Sequence, residues 1–301
     1  MTMNHSDMTA KIERGDGFIA ALDQSGGSTP KALQGYGVDD SAWSSDEEMF
    51  GLIHDMRTRI IKSPCFASGK VIGAILFERT MDSMVDGKPT PQALIDLGIV
   101  PFIKIDKGLE DEENGVQMMK PMPELDALLD RAKSLGVFGT KERSVINSAN
   151  PAGIAVLVAQ QFQVAKQVLA KGLMPIVEPE VNIKSPDRAE SDDLLLTAIL
   201  EELDEIPEGQ RVMLKLSIPA EPGKFDALVI HPKVLKVVAL SGGFSREEAC
   251  RELAKNPGMI ASFSRALLAD LRVQQSEEEF NRTLGTAIDE IYEASTEKVP
   301  A

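Results

Sequence analysis

The sequence predicts an α/β fold, a single (β/α)8 barrel (TIM barrel), from three observations. Short apolar segments alternate with longer helix-like segments along the whole chain, which is the pattern of a parallel sheet wound with helices. Eight such apolar segments occur, the number that closes this type of barrel. No segment is rich enough in Pro, Gly and Ser to divide the 301 residues. We therefore expect one domain over residues 1–301, with residues 1–11 as a flexible N-terminal tail.

Each strand is predicted where a short apolar run is bounded by turn residues. In chain order, the predicted strands are 17–22, 71–77, 100–105, 138–146, 173–177, 212–216, 234–240 and 259–263.

Helices are predicted where apolar residues recur at spacings of three and four. The predicted helices are 91–97, 123–135, 152–170, 188–203, 245–255 and 277–294. Ser245 with Glu248 and Ser276 with Glu279 fit capping boxes at two helix starts, and Gly172 fits a left-handed helix stop.

Composition and charge exclude several classes of protein. Hydrophobic residues make up 43% and charged residues 26% of the chain, as in a folded enzyme. The formal charge of −15 would repel nucleic acid and anionic membranes, so neither is an expected partner. No apolar run reaches the roughly 18 residues of a membrane span. A small anionic substrate would need a local cluster of basic side chains.

Cysteine and histidine usage bears on compartment and cofactors. Only Cys65 and Cys250 are present, and the N-terminus lacks the apolar core of a signal peptide, so we expect a cytoplasmic protein. None of the 3 histidines lies at metal-ligand spacing, so neither a metal nor another cofactor is expected. The sequence leaves open whether the protein forms a homo-oligomer.

Charged residues interrupt the predicted strands at alternate positions. Successive side chains of a strand point to opposite faces, so residues two apart share a face. The pairs that share a face are Lys104 with Asp106, Lys141 with Arg143, and Glu178 with Glu180. Most of these residues fall near the C-terminal ends of their strands, where (β/α)8 barrels carry their active sites.

Lys215 stands in an otherwise apolar strand. A lysine is rarely buried without a partner, and desolvation favours the neutral, nucleophilic amine. Such an amine attacks a ketone to form a Schiff base, with Lys141 as a neighbouring cation and Glu178 as the acid that carries off the hydroxyl. Two carboxylates as close as Glu178 and Glu180 favour protonation of one of them. The alternatives are a structural lysine and ordinary ion-pair partners.

Two loops fit anion binding. Ser241-Gly242-Gly243 is a glycine-rich turn between a strand and a helix, which suits a phosphate, and Ser264-Arg265 would add a guanidinium to the same anion. Asp23 ends the first strand, and the serine-rich loop after it could carry a base and bind a second anion. Plain turns are the alternative for each loop.

Seven short motifs follow one another in a definite order between residues 15 and 268: AALDQS (20–25), AILFE (74–78), IKIDKG (103–108), PIVEPE (175–180), LK (214–215), LSGG (240–243) and FSRAL (263–267). This ordered set resembles the class I (Schiff-base) fructose-1,6-bisphosphate aldolases, in particular their shorter bacterial branch.

The resemblance implies a metal-independent lyase of glycolysis and gluconeogenesis. It would reversibly cleave fructose 1,6-bisphosphate into dihydroxyacetone phosphate and glyceraldehyde 3-phosphate. Lys215 would form the Schiff base, Glu178 would be the acid/base, Asp23 would take the C4-hydroxyl proton and Lys141 would assist at the reacting carbon.

The resemblance also implies binding roles for a second set of residues. Glu180 would order the lysines and Arg143 would help to hold substrate. One phosphate would be gripped by the loop residues Ser241, Gly242, Gly243, Ser264 and Arg265, and the other would lie toward Ser25, Ser28 and Lys104.

The chain departs from the family pattern in several places. Gln24 stands where many members have Glu, Glu142 stands where the animal enzymes have an aromatic residue, and residues 263–265 are two residues shorter than the matching animal segment. The terminal tyrosine of the animal enzymes is absent from 296–301. A Schiff-base aldolase for tagatose 1,6-bisphosphate and a catalytically silent scaffold barrel are the alternative functions.

Overall fold

The computed structural model describes residues 3–300 and confirms the predicted (β/α)8 barrel. Eight parallel strands follow one another around the sheet in chain order. They are β1 (Phe18–Leu22), β2 (Val71–Leu76), β3 (Val100–Lys104), β4 (Gly139–Ile146), β5 (Met174–Val181), β6 (Val212–Ser217), β7 (Val234–Leu240) and β8 (Ile260–Ala261). The Ala21 N–H donates to the Phe263 C=O at 3.1 Å, which joins the first strand to the end of the eighth.

Helices surround this sheet. They are α1 (His5–Arg14), α2 (Thr29–Tyr36), α3 (Asp46–Lys62), α4 (Glu78–Met81), α5 (Thr90–Asp96), α6 (Leu125–Ser134), α7 (Pro151–Ala170), α8 (Arg188–Asp204), α9 (Asp226–Val229), α10 (Arg246–Ala254), α11 (Arg265–Leu268) and α12 (Glu277–Thr296). A 3₁₀ turn (Asp40–Ala42), a small hairpin (Met84–Val85 with Lys88–Pro89) and a two-residue strand (Val116–Gln117) antiparallel to the end of β4 complete the elements.

The predicted strands and helices are found at their expected places, with two differences in strand length. β5 continues to Val181, because its second half pairs with the long β4 up to Ile146. β8 is shorter than expected, with only Ile260 and Ala261 in register with β7. Both predicted capping boxes are present, with the Ser245 and Ser276 side chains accepting from the backbone of Glu248 and Glu279.

The expectation of a flexible tail over residues 1–11 is wrong for the part that the structure describes. Asn4 caps α1, and Met8 and Ile12 of this helix are buried. Both pack with Ile19, Val100 and other side chains inside the barrel. An amphipathic helix of 10 residues becomes stable here because it covers the N-terminal end of the barrel. Residues 1 and 2 lie outside the described residues.

The strands separate two apolar cores. One set of alternating strand residues, with Ile103, Val177 and Leu214 among them, packs outward against the helices. The other set points inward and includes Phe102, Ile176 and Met213. The inner set fills only the lower part of the barrel, which leaves the upper interior for polar side chains. Within residues 3–300, no helix is both long and apolar enough to cross a membrane.

Candidate active site

Charged side chains form a layer directly above the inner apolar layer. Lys104 follows Phe102 by two residues on β3, Glu178 follows Ile176 on β5, and Lys215 follows Met213 on β6. Because side chains alternate along a strand, each charged residue takes the next inward position. Lys141 joins the same layer, since it pairs in register with Lys104. Strand periodicity thus carries these side chains toward the C-terminal end of the barrel.

The four predicted catalytic residues, Asp23, Lys141, Glu178 and Lys215, form one continuous chain of ion pairs. The Lys141 Nζ lies 2.6 Å from Asp23 Oδ2 and 2.8 Å from Glu178 Oε2. The other oxygen of Glu178, Oε1, lies 3.0 Å from the Nζ of Lys215. All four side chains are buried, with Lys215 only 4% exposed. The Glu178 carboxylate therefore bridges the two lysines.

Burial and neighbouring charges shift the pKa values of these ion-paired residues in opposite directions. Burial alone would raise the pKa of Asp23, but the ammonium groups of Lys141 and Lys215 outweigh it and hold that pKa well below its usual range. Burial likewise disfavours the ammonium of Lys141, yet the carboxylates of Asp23 and Glu178 keep its pKa above the ordinary value. Asp23 is therefore a carboxylate, and Lys141 a cation, at neutral pH.

A second layer of charges lies nearer the barrel mouth. The Arg143 Nε donates to the Glu180 carboxylate. Lys104 donates to Asp106 Oδ1 at 2.6 Å, and the other oxygen of Asp106 accepts from the Arg143 backbone N–H at 3.2 Å. Glu180 thus contacts Arg143, whereas the resemblance implied that it orders the lysines. The reason is its place in β5: Glu180 lies one inward step above Glu178, level with the guanidinium and beyond the lysine layer.

The predicted anion loop after β7 lies beside the segment after β8. Gly242 and Gly243 have φ of 59° and 118°, values that favour glycine. A Cβ on Gly242 would come within 2.6 Å of Ile183, and one on Gly243 would lie 3.6 Å from the Arg265 guanidinium. Arg265 is exposed and has no carboxylate within 4.0 Å among residues 3–300. The Arg265 guanidinium is therefore available to bind an anion in front of this glycine turn.

The serine loop after β1 has a different structure from the glycine turn. The Ser25 N–H donates to Ser28 Oγ at 3.1 Å, and the Ser28 hydroxyl returns a bond to the Ser25 carbonyl at 3.3 Å. Both serines sit at the mouth of the barrel just past Asp23, and Ser28 is exposed. The Ser28 hydroxyl and the Ser25 backbone are thus hydrogen-bonded within the loop itself.

Three residues that the sequence analysis did not assign to the site also contact it. Asp106 holds Lys104, and Arg57 on α3 donates through Nη2 to the side-chain oxygen of Gln24 at 3.0 Å. The Gln24 amide in turn donates to Ser264 Oγ at 2.5 Å. Arg57 had a signal in the sequence, because it stands four residues after Ile53, on the apolar face of its helix.

Metal-ligating side chains are not grouped in the described part of the chain. Across residues 3–300, no set of three or more His, Cys, Asp or Glu residues is arranged to hold a metal ion.

Two solved structures align with this chain over more than nine-tenths of its length. Fructose-bisphosphate aldolase from Plasmodium falciparum, solved in complex with TRAP and a small-molecule inhibitor, aligns with a TM-score of 0.77 at 21% identity, over 98% of this chain and 95% of that one. Cgl0159 from Corynebacterium glutamicum aligns with a TM-score of 0.53 at 13% identity, over 96% of this chain and 91% of that one. At these identities the likeness concerns the fold.

A match at the level of sequence families goes further. Residues 6–214 match the family model described as fructose-bisphosphate aldolase class-I. The matched segment is more than half of the chain, contains Asp23, Lys141 and Glu178, and stops one residue before Lys215. The chain therefore belongs to the class-I fructose-bisphosphate aldolase family, whose members work through a lysine Schiff base.

Proposed function

We propose that the protein cleaves fructose 1,6-bisphosphate reversibly into dihydroxyacetone phosphate and glyceraldehyde 3-phosphate, as a metal-independent lyase of glycolysis and gluconeogenesis. The observation that carries the proposal is the buried chain from Asp23 through Lys141 and Glu178 to Lys215, with consecutive N–O distances of 2.6, 2.8 and 3.0 Å. It holds a nucleophilic amine, an acid and a base within one water-poor layer.

In the proposed reaction, the Lys215 ammonium first gives a proton to the Glu178 carboxylate, and the resulting amine attacks the ketone carbon C2 and forms a carbinolamine. Glu178, at 3.0 Å from Nζ, protonates the departing hydroxyl, so that water leaves and a protonated imine forms. Asp23 then takes the C4-hydroxyl proton. The C3–C4 bond breaks, its electron pair moves into the imine to give an enamine, and the aldehyde leaves. Protonation at C3 and hydrolysis of the imine release the second product.

The charges of the ion-paired residues fit this order of chemical steps. Asp23 acts as a base only when ionised, and the ammonium groups beside it hold its pKa below the usual range. Lys141 stays a cation between Asp23 and Glu178 and can stabilise oxyanions near the reacting carbon. The imine supplies the electron sink that a divalent cation provides in metal-dependent aldolases, which is why we propose a reaction without metal.

A substrate with two phosphates is supported by where the basic side chains lie. Arg265 and the glycine turn follow β8 and β7, whereas Lys104 and Arg143 belong to β3 and β4. These strand pairs lie about half-way around the barrel from each other. A bisphosphate could therefore span the mouth with its ketone above Lys215. Lys104 and Arg143 already have carboxylate partners, so we assign the tighter grip to Arg265.

Borohydride reduction in the presence of dihydroxyacetone phosphate tests the chemistry. We expect covalent label on Lys215 alone, found by peptide mass mapping, and no label in Lys215→Met. Lys236→Met is the matched control, because Lys236 also points inward but lies toward the opposite end of the barrel, near Glu13 and Asp16. Label on another lysine, or none, would overturn the mechanism.

Two kinetic comparisons test the substrate and the metal. Cleavage of fructose 1,6-bisphosphate should be faster than cleavage of tagatose 1,6-bisphosphate, and a clear preference for the tagatose sugar would replace the proposed substrate. Activity should survive a strong chelator. Full loss that added zinc restores would mean a metal-dependent route.

A further inference from the structure

Arg57 is a buried cation without a carboxylate partner. Its residue is 0% exposed, and none of the ion pairs among residues 3–300 includes it. Its guanidinium donates to the Gln24 carbonyl at 2.6 Å, to Gln24 Oε1 at 3.0 Å and to Thr80 Oγ1 at 2.6 Å, which are all neutral acceptors. Burial lowers the pKa of Arg57 to about 10, and Asp23 partly offsets this, so Arg57 stays charged at neutral pH. A buried cation without a carboxylate partner needs its N–H groups satisfied by neutral acceptors, and these bonds hold the Arg57 guanidinium in one orientation.

The bonds of Arg57 determine which way the Gln24 amide faces. A guanidinium can only donate, so the Gln24 oxygen must face Arg57 and its NH₂ group must face Ser264. The NH₂ group can only donate as well. Ser264 Oγ therefore accepts the bond from Gln24 at 2.5 Å, and its own proton must be donated elsewhere. The buried Arg57 cation therefore determines the direction of the hydrogen bonds made by Gln24 and Ser264.

Ser264 is placed to use that proton on an anion. It directly precedes Arg265, whose guanidinium lies beside Gly243 of the glycine turn. A phosphoryl oxygen in front of this turn is an acceptor that would complete the hydrogen bonds of Ser264.

We propose that Arg57 and Gln24 are positioning residues of the phosphate subsite, which hold the Ser264 hydroxyl as a donor to the phosphoryl group of a phosphorylated ketone. The proposal rests on the proposed function, because it assumes that the ketone bound at Lys215 carries this phosphate. It assigns Gln24 a specificity role: a glutamate there would neutralise Arg57 and accept the Ser264 proton, so the hydroxyl would turn away from the ligand.

Gln24→Glu tests the proposal with almost no change in shape. The measured quantity is the ratio of the apparent affinities for dihydroxyacetone phosphate and unphosphorylated dihydroxyacetone, each taken from the concentration dependence of borohydride trapping. A hydrogen bond to a charged group is worth enough that we expect this ratio to fall roughly 10- to 100-fold. Gln163→Glu adds the same charge at an exposed site on α7 and should leave the ratio as in the wild type.

Ser264→Ala is the second variant and tests the donor itself. It should lower the same ratio, and adding Gln24→Glu to it should lower the ratio by a smaller factor than in the wild-type background. An unchanged ratio in Gln24→Glu, or in Ser264→Ala if the first variant does not fold, would overturn the proposal.

The same experiment separates this inference from the proposed function. If neither ketone labels Lys215 in the wild type, the proposed function fails, and the inference fails with it. If the wild type is labelled and the ratios do not move, the positioning role alone is wrong.

Discussion

Lys141 and Glu142 are neighbours on β4, and they show what decides the charge of a buried side chain. Both are almost completely buried, at 2% and 0% exposure. Lys141 faces the barrel interior, where Asp23 and Glu178 lie within 2.8 Å. Glu142 faces the helices, where Thr140 donates at 3.4 Å and Oε1 has no partner within the described residues. Two consecutive residues thus differ in whether a partner of opposite charge lies within ion-pair distance.

The two faces respond to burial in opposite ways. Inside the barrel, paired charges keep Lys141 protonated despite burial. Outside, burial raises the pKa of Glu142 well above its ordinary value, and the nearby carboxylate of Asp106 adds to the rise. The inner face of β4 therefore holds paired charges that can take part in chemistry, whereas the outer face holds a carboxyl whose pKa folding raises. The difference comes from partners, since burial is the same.

The largest expected effect is the loss of the inner carboxylate. Glu178→Gln removes the proposed acid, so kcat for bisphosphate cleavage should fall by about 10²- to 10⁴-fold, as measured by a coupled steady-state assay. Glu142→Gln makes the same chemical change on the outer face of the adjacent strand β4 and should change kcat little. Equal losses in the two variants would mean that the faces do not differ in function.

The next effect is on stability. Lys141→Met leaves Asp23 and Glu178 buried without their shared cation, which should lower the free energy of unfolding by about 3–5 kcal/mol at pH 7, measured by urea denaturation. Lys166→Met is the control, because the Lys166 pair with Glu202 is looser at 3.6 Å and partly exposed. That variant should lose less than about 1 kcal/mol.

The loss in Lys141→Met should depend on pH with a definite sign. The pKa of Asp23 is lower in the folded protein than in the unfolded chain, so its contribution is present above the unfolded pKa and disappears as pH falls through the folded one. The gap between wild type and variant should therefore shrink on acidification below about pH 4. A gap that is constant from pH 7 to pH 3 would contradict the ion-pair explanation.

The smallest expected effect concerns Glu142 on the outer face of β4. The pKa of Glu142 is raised on folding, so its contribution to stability is present at low pH and is lost as pH rises through the folded pKa. Glu142→Gln cannot ionise and should melt at a higher temperature than wild type at pH 9, with the difference vanishing near pH 4. Glu201→Gln, at an exposed position of α8, should show no such pH-dependent difference in melting temperature from the wild type.

Much of the candidate site could be predicted because strand periodicity is a local property. Alternation along 212–216 and 100–105 placed Lys215 and Lys104 on one face and Leu214 and Ile103 on the other, and the structure has them so. The capping boxes at Ser245 and Ser276 are equally local, since their partners lie three residues away. Features within one element needed no knowledge of the rest of the chain.

Partners across elements were not predictable in the same way. The pairing of Glu180 with Arg143 depends on the register between β4 and β5, which sets Arg143 level with Glu178 and one step below Glu180. Arg57 reaches Gln24 across 33 residues, and Gln24 reaches Ser264 across 240. Hydrogen-bond partners so far apart in sequence are chosen by the packing of whole helices on the barrel.

The sequence by itself determined the barrel, the inward direction of its charged side chains and the end at which they gather, because each follows from short-range periodicity and from the parallel order of strands. Only the tertiary structure decided that α1 covers the barrel floor, that Glu178 bridges two lysines, and that one buried oxygen of Glu142 has no hydrogen-bond partner among residues 3–300. The physical reason is that burial and electrostatic partners depend on residues that are close in space and distant in sequence. A strand pattern specifies the face to which a side chain points, but it does not specify which residue lies opposite that side chain.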